Sequence, residues 1–272
     1  MAESISNIAI ITKTNSVQAE EAALRMTEIL TDRNVKVYAV SPLIIEGSRP
    51  VHAEDLRKLD LDIVFAIGGD GTTLRAFRHI PSETPLLSVN VGGNRGILSE
   101  TGIDSLDESI NAILTGQYFH ESRIRIQGLV GKIKFPAALN DIVVTRVNLT
   151  RTPLLSIKMM GDVIEHRMDG IIISTPTGST GHSFSIGGPV LYEGLESLLL
   201  SPMAPLNKMP QLVIPAEEVE IKSTNDANLV VDGQEIFRIA ADEPLKIFRY
   251  PYNANFIRIR KRGMRQIVKL GF

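Results

Sequence analysis

The sequence contains no cysteine. That absence excludes disulfides, thiolate zinc sites, iron–sulfur clusters and cysteine nucleophiles together. The five histidines are scattered and none stands in an HExxH spacing, so zinc hydrolysis has no ligand set. No run of about 18 apolar residues occurs, and the opening MAESISNIAIITK places an acid before a short apolar stretch, so neither a membrane span nor a signal peptide is expected. A cytoplasmic address follows as the expectation. Neither sign of charge dominates: 29 Lys and Arg face 31 Asp and Glu, a formal charge of −2, which argues against a dedicated nucleic-acid or polyanion binder. What remains is ordinary globular material, 272 residues with 43% hydrophobic and 22% charged, enough for one large core or two smaller ones.

The first hundred residues alternate short β-branched runs with longer amphipathic stretches, the rhythm of a parallel α/β layer. Strands are predicted at Ile8 to Ile11, Val35 to Val40, Leu61 to Ile67 and Pro85 to Val89. Between the first two, Ser16 to Leu30 reads as a helix, with Ser16 as cap and Ala22, Met26 and Leu30 at i, i+4 and i+8. From about Ile103 a period of two takes over, in Ile124 and Ile126, Leu155, Ile157 and Met159, Val219 and Ile221, and Leu245 and Ile247. These suit a mostly antiparallel layer with one wet face, so a boundary is placed near Gly102 to Ser105. The end of the chain is basic, with Arg258, Arg260, Lys261, Arg262, Arg265 and Lys269 interleaved with Ile257, Ile259, Ile267 and Leu270. Stacking aromatics are nearly absent there, so a strand and tail with solvated Arg and Lys is expected in preference to an RNA-binding tail.

Two segments carry chemistry. Gly68-Gly69-Asp70-Gly71-Thr72 stands where a buried strand ends and an apolar-periodic helix begins, the place where an open parallel sheet binds ligands and where glycines let backbone N–H groups approach a phosphate. A carboxylate beside a phosphate cradle repels the anion, which assigns Asp70 to the acceptor side, taking a hydroxyl proton during transfer. The same five residues also suit a plain turn. No P-loop competes: Lys132 follows Gly131, but Ile133 stands where Ser or Thr is required. The second segment, Asp169-Gly170-Ile171-Ile172-Ile173-Ser174-Thr175-Pro176-Thr177-Gly178-Ser179-Thr180-Gly181, runs from an apolar strand into a hydroxyl- and glycine-rich loop that continues through Ser185 to Gly187-Gly188-Pro189. Such a loop suits the wrapping of a polar nucleotide, and Pro176 and Pro189 argue against a flexible linker.

The pairing of GGDGT with DG…STPTGST…S-x-GGP, with Asn140-Asp141 between them, resembles the NAD kinase family over most of the chain. GGDG alone is shared with lipid kinases of the diacylglycerol and sphingosine type and, more loosely, with phosphofructokinases; the STPTGST loop separates this family from them. The resemblance implies an α/β plus all-β two-domain fold. An N-terminal Rossmann-like α/β domain would span residues 1–102, with 249–272 returning to it, and a C-terminal β-sandwich-like domain would span 103–248. It implies phosphoryl transfer from ATP, another nucleoside triphosphate or polyphosphate to the adenosine-ribose 2′-hydroxyl of NAD, giving NADP. Asp70 would be the base, and Gly68, Gly69, Gly71, Thr72 and Arg75 would meet phosphate. NAD would be held by Asn140, Asp141, Arg151, Arg167, Asp169, Thr177, Thr180, Gly181, His182, Ser185 and Gln234 of the Val231-Asp232-Gly233-Gln234 segment. No carboxylate cluster suggests a metal site of the protein's own, so Mg²⁺ is expected to ride on the nucleotide. A homo-oligomer, dimer or tetramer, is expected by the same analogy.

The sequence departs from the family pattern twice. Gly181-His182 replaces the usual Ala-Tyr after GST, leaving an imidazole where a phenol would stack. Asn90-Val91-Gly92-Gly93-Asn94-Arg95-Gly96-Ile97-Leu98 has one residue more than the family's N-x-G-x-x-G-F-L turn. The alternatives left open are a lipid or sugar kinase built on the same GGDGT module and a non-catalytic dinucleotide-binding module.

Overall fold

A computed structural model describes residues 5–80, 83–92, 96–261 and 263–271. The chain forms two compact units, Met1–Ser122 joined by Asn253–Phe272, and Arg123–Tyr252.

In the first unit the elements run β1 (Asn7–Thr12), α1 (Val17–Thr31), β2 (Lys36–Val40), β3 (Arg49–Val51), β4 (Ile63–Ile67), α2 (Asp70–His79), β5 (Leu86–Asn90), β6 (Thr101–Gly102), α3 (Leu106–Leu114) and β7 (Phe119–Arg123). The strands lie in the order β3-β2-β1-β4-β5, followed by a late strand, Ala254–Arg258, and β7, with β6 beside β5. Residues Ile63 to Ile67 are all buried, the pattern of a strand covered on both faces of a parallel sheet. Helix α1 lays Ala19, Ala22, Ala23, Met26 and Leu30 on that sheet, and the Ser16 hydroxyl accepts the Ala19 N–H at 3.4 Å as its cap. The strand order reverses between β1 and β4, which makes the carboxyl ends of these two strands the ligand crevice of the sheet.

This unit runs to Ser122, beyond the change of sequence texture near Gly102, because Leu106, Ile110 and Ile113 of α3 share one core with Ile8, Ile10 and Phe65. The chain re-enters it at Asn253, not 249, because the strand ending at Arg249 pairs within the second unit. The expectation of a solvated basic tail needs correction. Arg258 and Arg265 have side chains only 1% and 2% exposed. Glu100 meets Arg265 at 2.5 Å and Arg258 at 3.6 Å, while Glu121 meets Arg258 at 2.8 Å and Arg265 at 3.3 Å. Glu100 also accepts the N–H groups of Ile259 and Arg260 at 3.0 and 3.1 Å. Interleaved basic and apolar residues therefore mark a segment clasped by the buried Glu100 carboxylate and the half-buried Glu121; Arg260 and Lys261 alone among those described face solvent, and Arg262 and the Lys269 side chain lie outside the described residues.

The second unit comprises β8 (Ile126–Val130), β9 (Ile133–Ala138), β10 (Asp141–Arg146), β11 (Leu154–Met159), β12 (Asp162–Arg167), β13 (Gly170–Ser174), β14 (Ser197–Met203), β15 (Leu212–Pro215), β16 (Val219–Ser223), β17 (Ala227–Val231), β18 (Glu235–Ile239) and β19 (Leu245–Arg249). They form two six-stranded sheets, β15-β14-β13-β10-β17-β18 and β12-β11-β16-β19-β8-β9. Every recorded pairing is antiparallel. Alternate residues of the second sheet, such as Leu155, Ile157 and Met159, meet Ile142, Ile171, Ile173 and Leu229 of the first in one core. Among the described residues no helix is long and apolar enough to cross a membrane.

Candidate functional site

At the carboxyl end of β4 the chain turns through Gly68 and Gly69 into α2, and the Gly69 carbonyl accepts the Thr72 and Thr73 N–H groups at 2.9 and 3.3 Å. Gly68 is required by packing, since a Cβ there would stand 2.3 Å from Thr72 Oγ1 and 3.0 Å from Lys13 Cβ. Gly69 has open space over it, with nothing within 4 Å of an added Cβ, and Gly71 is exposed. Thr72 is buried against Gly68, so of the residues expected to meet phosphate it is Gly69 and Gly71 that present backbone outward. Arg75 donates from Nη2 to the Thr12 carbonyl at 2.6 Å, tying α2 to the end of β1, and burial beside Arg78 lowers its pKa from the free guanidinium value.

Asp70, the first residue of α2, accepts the Ile97 N–H at Oδ2 (2.9 Å) and the Leu98 N–H at Oδ1 (3.0 Å). Both carboxylate oxygens are thus oriented by the turn that follows β5. Of the extra-long turn noted in the sequence, Gly93, Asn94 and Arg95 lie outside the described residues.

In the second unit three turns meet at one end of the β13-β10-β17 ladder. Asn140-Asp141 enters β10, Ser174-Thr175 leaves β13, and Val231-Asp232-Gly233-Gln234 joins β17 to β18. The Asn140 carbonyl accepts the Thr175 N–H at 2.8 Å and the Ser174 hydroxyl at 3.2 Å, and the Thr175 hydroxyl donates to the Leu139 carbonyl at 2.5 Å. Gly178 lies so close that a Cβ would stand 2.2 Å from the Asn140 carbonyl oxygen. The STPTGST loop is therefore a chain of internal turns. Thr175, Thr177 and Ser179 are buried, with the Ser179 hydroxyl donating to Pro176 at 2.7 Å and accepting the Leu191 N–H at 2.9 Å. Thr180 and Gly181 are half-buried, and a single helical turn, His182–Ser185, follows with His182 and Ser185 exposed. Gln234 is exposed. Asp141 is buried, and this desolvation, aided by the Asp232 charge, pushes its carboxyl up to about 7.

The remaining acceptor candidates do not join this cluster. Asp169 stands at the opposite end of β13, because the six residue steps from Asp169 to Thr175 span roughly 20 Å of extended chain, while Arg167 closes β12 in the other sheet and Arg151 lies in the loop before β11. Proximity in the sequence misleads here: consecutive motif residues on a strand lie a strand's length apart. At that far end Asp169 pairs with Arg146 at 2.9 Å, Arg146 Nη1 donates to the Leu149 carbonyl at 2.6 Å, and Arg167 donates to the Thr152 carbonyl at 3.1 Å. Arg146 escaped the sequence reading, as did the part played by Asp232; nothing in their local spacing signals either. Among the described residues, no group of three or more His, Asp or Glu side chains is placed to hold a metal ion.

Comparison with known proteins matches both parts of the chain to family models, residues 8–118 to the ATP-NAD kinase N-terminal domain and residues 139–259 to the ATP-NAD kinase C-terminal domain. The chain is 34% identical over 262 residues to the NAD kinase of Thermococcus sibiricus, covering 93% of this chain and 94% of that protein. It is 32% identical over 272 residues to the NAD kinase of Methanothermobacter thermautotrophicus, covering 96% and 94%. Among solved structures, an NAD kinase from Archaeoglobus fulgidus in complex with ATP superposes with a TM-score of 0.79 at 26% identity, covering 97% of this chain and 98% of that one. The yeast NADH kinase complexed with NADH gives 0.88 at 20% identity over 99% and 87%, a likeness of fold.

Proposed function

The chain belongs to the NAD kinase family, and from that premise we infer that it transfers the terminal phosphoryl group of a nucleoside triphosphate to the adenosine-ribose 2′-hydroxyl of NAD, giving NADP. The observation that carries this reading is the placement of Gly69-Asp70-Gly71 at the carboxyl end of β4, at the point where the strand order reverses. In the transfer, the ribose oxygen forms a bond to the γ-phosphorus, the bond from phosphorus to the β,γ-bridging oxygen breaks, and the hydroxyl proton passes to Asp70. The Ile97 and Leu98 N–H groups aim that carboxylate. Gly69, with open space over it, and the exposed Gly71 would let phosphate approach the backbone at the start of α2. The transition state is loose, so positioning and electrostatics supply most of the acceleration.

We assign the acceptor to Asn140, Asp141, Thr177, Thr180, Gly181, His182, Ser185 and Gln234 around the three-turn cluster. Arg151, Arg167 and Asp169, which stand apart from that cluster, would meet a different part of the dinucleotide. A divalent cation such as Mg²⁺ would neutralise charge on the triphosphate and be carried by it. Homo-oligomer formation belongs to the same proposal: β15 and β18 are sheet edges bearing the exposed aliphatics Val213 and Ile236, which a second copy can cover. So does a cytoplasmic location, which cell fractionation tests.

The assay is direct. The protein is incubated with Mg²⁺ and NAD, with ATP or polyphosphate as donor, and NADP is read by a coupled dehydrogenase. NADP formation that requires NAD and one donor is the expected result; label transferred to dispersed lipid, with no NADP, overturns the reading. Titrating NAD and ATP separately against Arg167→Ala tests the far group, which should weaken NAD alone.

A further inference from the structure

The turn from β17 to β18 passes through Asp232 and Gly233 with φ of +51° and +64°, consecutive left-handed residues of the kind for which Asp and Gly are favoured. That turn chemistry asks only for an exposed Asp. Here the side chain is 7% exposed and turns away from its own hairpin. Oδ1 accepts the Asn140 N–H at 2.7 Å and the Asp141 N–H at 3.3 Å, Oδ2 accepts the Leu139 N–H at 3.1 Å, and the Asp232 N–H donates to the Asp141 carbonyl at 3.0 Å. Beside it stands Arg125, 3% exposed, which donates to the Tyr252 carbonyl at 2.9 Å and lies 4.8 Å over the Tyr250 ring. Burial lowers the Arg125 pKa to about 10, against the opposing pull of Tyr250 and Asp232.

We propose that Asp232 is a positioning residue of the acceptor site: its carboxylate clamps the backbone from which Asn140 and Asp141 project, with Arg125 balancing the buried charge. The peptide from Leu139 to Asp141 is gripped on one side by Asp232 and on the other by Thr175, whose N–H and hydroxyl bond the Asn140 and Leu139 carbonyls. Neither grip depends on local sequence. The three N–H groups that its carboxylate accepts belong to the main chain of Leu139, Asn140 and Asp141, so Asp232 shapes the acceptor pocket and takes no part in the reaction. The inference rests on the reading that Asn140 and Asp141 contact NAD.

The test uses the full chain with Asp232→Asn, Asp232→Glu and Asn140→Ala, measuring NAD and ATP affinity and the pH dependence of NAD affinity. An amide cannot accept all three N–H groups, so Asp232→Asn should weaken NAD about tenfold, the scale of losing charge-assisted bonds, and leave ATP within twofold. The charged group facing Asp141 is Asp232, with Arg125 beyond it, and the Asp141 partner across β13 is the neutral Ser174. Removing the Asp232 charge should therefore move the inflection in NAD affinity, near pH 7 in the parent, to lower pH. Asp232→Glu keeps the charge but misplaces it, so NAD should weaken several-fold while the inflection stays; this variant carries the test should the Asn variant not fold. Unchanged NAD affinity in both variants, equal loss for NAD and ATP, or an unmoved inflection in Asp232→Asn overturns the proposal. Failure of Asn140→Ala to weaken NAD would instead overturn the acceptor reading beneath it.

Discussion

Replacing Asp70 by Asn exchanges one carboxylate oxygen for an NH₂ group at nearly constant shape. In the parent, one oxygen accepts the Ile97 N–H at 2.9 Å and the other the Leu98 N–H at 3.0 Å. The amide can satisfy one of these donors and must set its own NH₂ against the other, a loss of about 1–3 kcal/mol for a donor left unpaired. For a chain of this length each kcal/mol moves the melting temperature by ~2–4 °C, so a fall of several degrees is expected. Turnover should fall further than stability implies, by roughly two to four orders of magnitude, because the variant has no group to take the ribose proton. ATP should bind as well as to the parent or better, since a negative charge near the triphosphate has gone, and NAD nearly as well. Coupled NADP formation, calorimetric titration of each nucleotide and a thermal melt on one preparation separate the two duties. Near-normal turnover refutes the base assignment. Lost turnover with an unchanged melting temperature refutes the clamp on the 97–98 turn, and loss of both affinities together with turnover would move the search for a base to Asp141 or Asp169.

Further perturbations test the surroundings. The Asp141 carboxyl is raised to about 7, so between roughly pH 4 and 7 the folded protein holds a proton the unfolded chain has released, and stability falls as pH rises through that window. Asp141→Asn removes this slope and should gain up to about 3 kcal/mol on the parent between pH 5 and 7; urea unfolding at a series of pH values that shows a constant difference disproves it. Glu100→Gln leaves the buried Arg258 and Arg265 with Glu121 as their remaining recorded carboxylate and should cost about 3–5 kcal/mol, with earlier proteolytic release of the C-terminal helix Arg265–Leu270. A loss below about 1 kcal/mol would mean the clasp is decorative. Gly178→Ala drives a methyl to 2.2 Å from the Asn140 carbonyl oxygen and should weaken NAD at least about tenfold with ATP unaffected, as separate titrations would show. His182→Ala should raise the NAD Michaelis constant roughly ten- to hundredfold while His182→Tyr is tolerated; an unchanged constant returns the imidazole to a structural role.

The parts of this fold that announce themselves in the sequence do so through burial that repeats locally. Ile8 to Ile11 and Ile63 to Ile67 are buried on both faces, hence their unbroken apolar runs, and Leu155, Ile157 and Met159 alternate because one face of β11 meets the core. Strand β3 has three residues, one of them proline and two exposed, and β6 has two, too little for any periodicity. Glycine and hydroxyl motifs betray themselves because backbone approach needs particular residues in a row. Ion pairs do not: the sequence around Arg258 suggests a solvated residue because its partner Glu121 lies 137 residues away, and Asp232 bonds N–H groups 91 to 93 residues upstream. Arg146 finds Asp169 across 23 residues through the β10–β13 pairing alone.

The late strand Ala254–Arg258 lies between β5 and β7, so the first unit is begun by the N-terminal half of the chain and closed by its end. During synthesis, Glu100 leaves the ribosome 165 residues before Arg265, an interval of ~10–30 s at ordinary elongation rates. Throughout it, the Leu86 edge that Phe256 will later pair has no partner of its own, and the Glu100 carboxylate has no guanidinium. The 130 residues from Arg123 to Tyr252 emerge meanwhile and can complete their sheets from contacts internal to themselves. The chain path therefore leaves the Rossmann-like unit with one open edge until its final strand is made, an edge that strands of other nascent chains could meet, whereas the inserted unit needs no strand from outside itself.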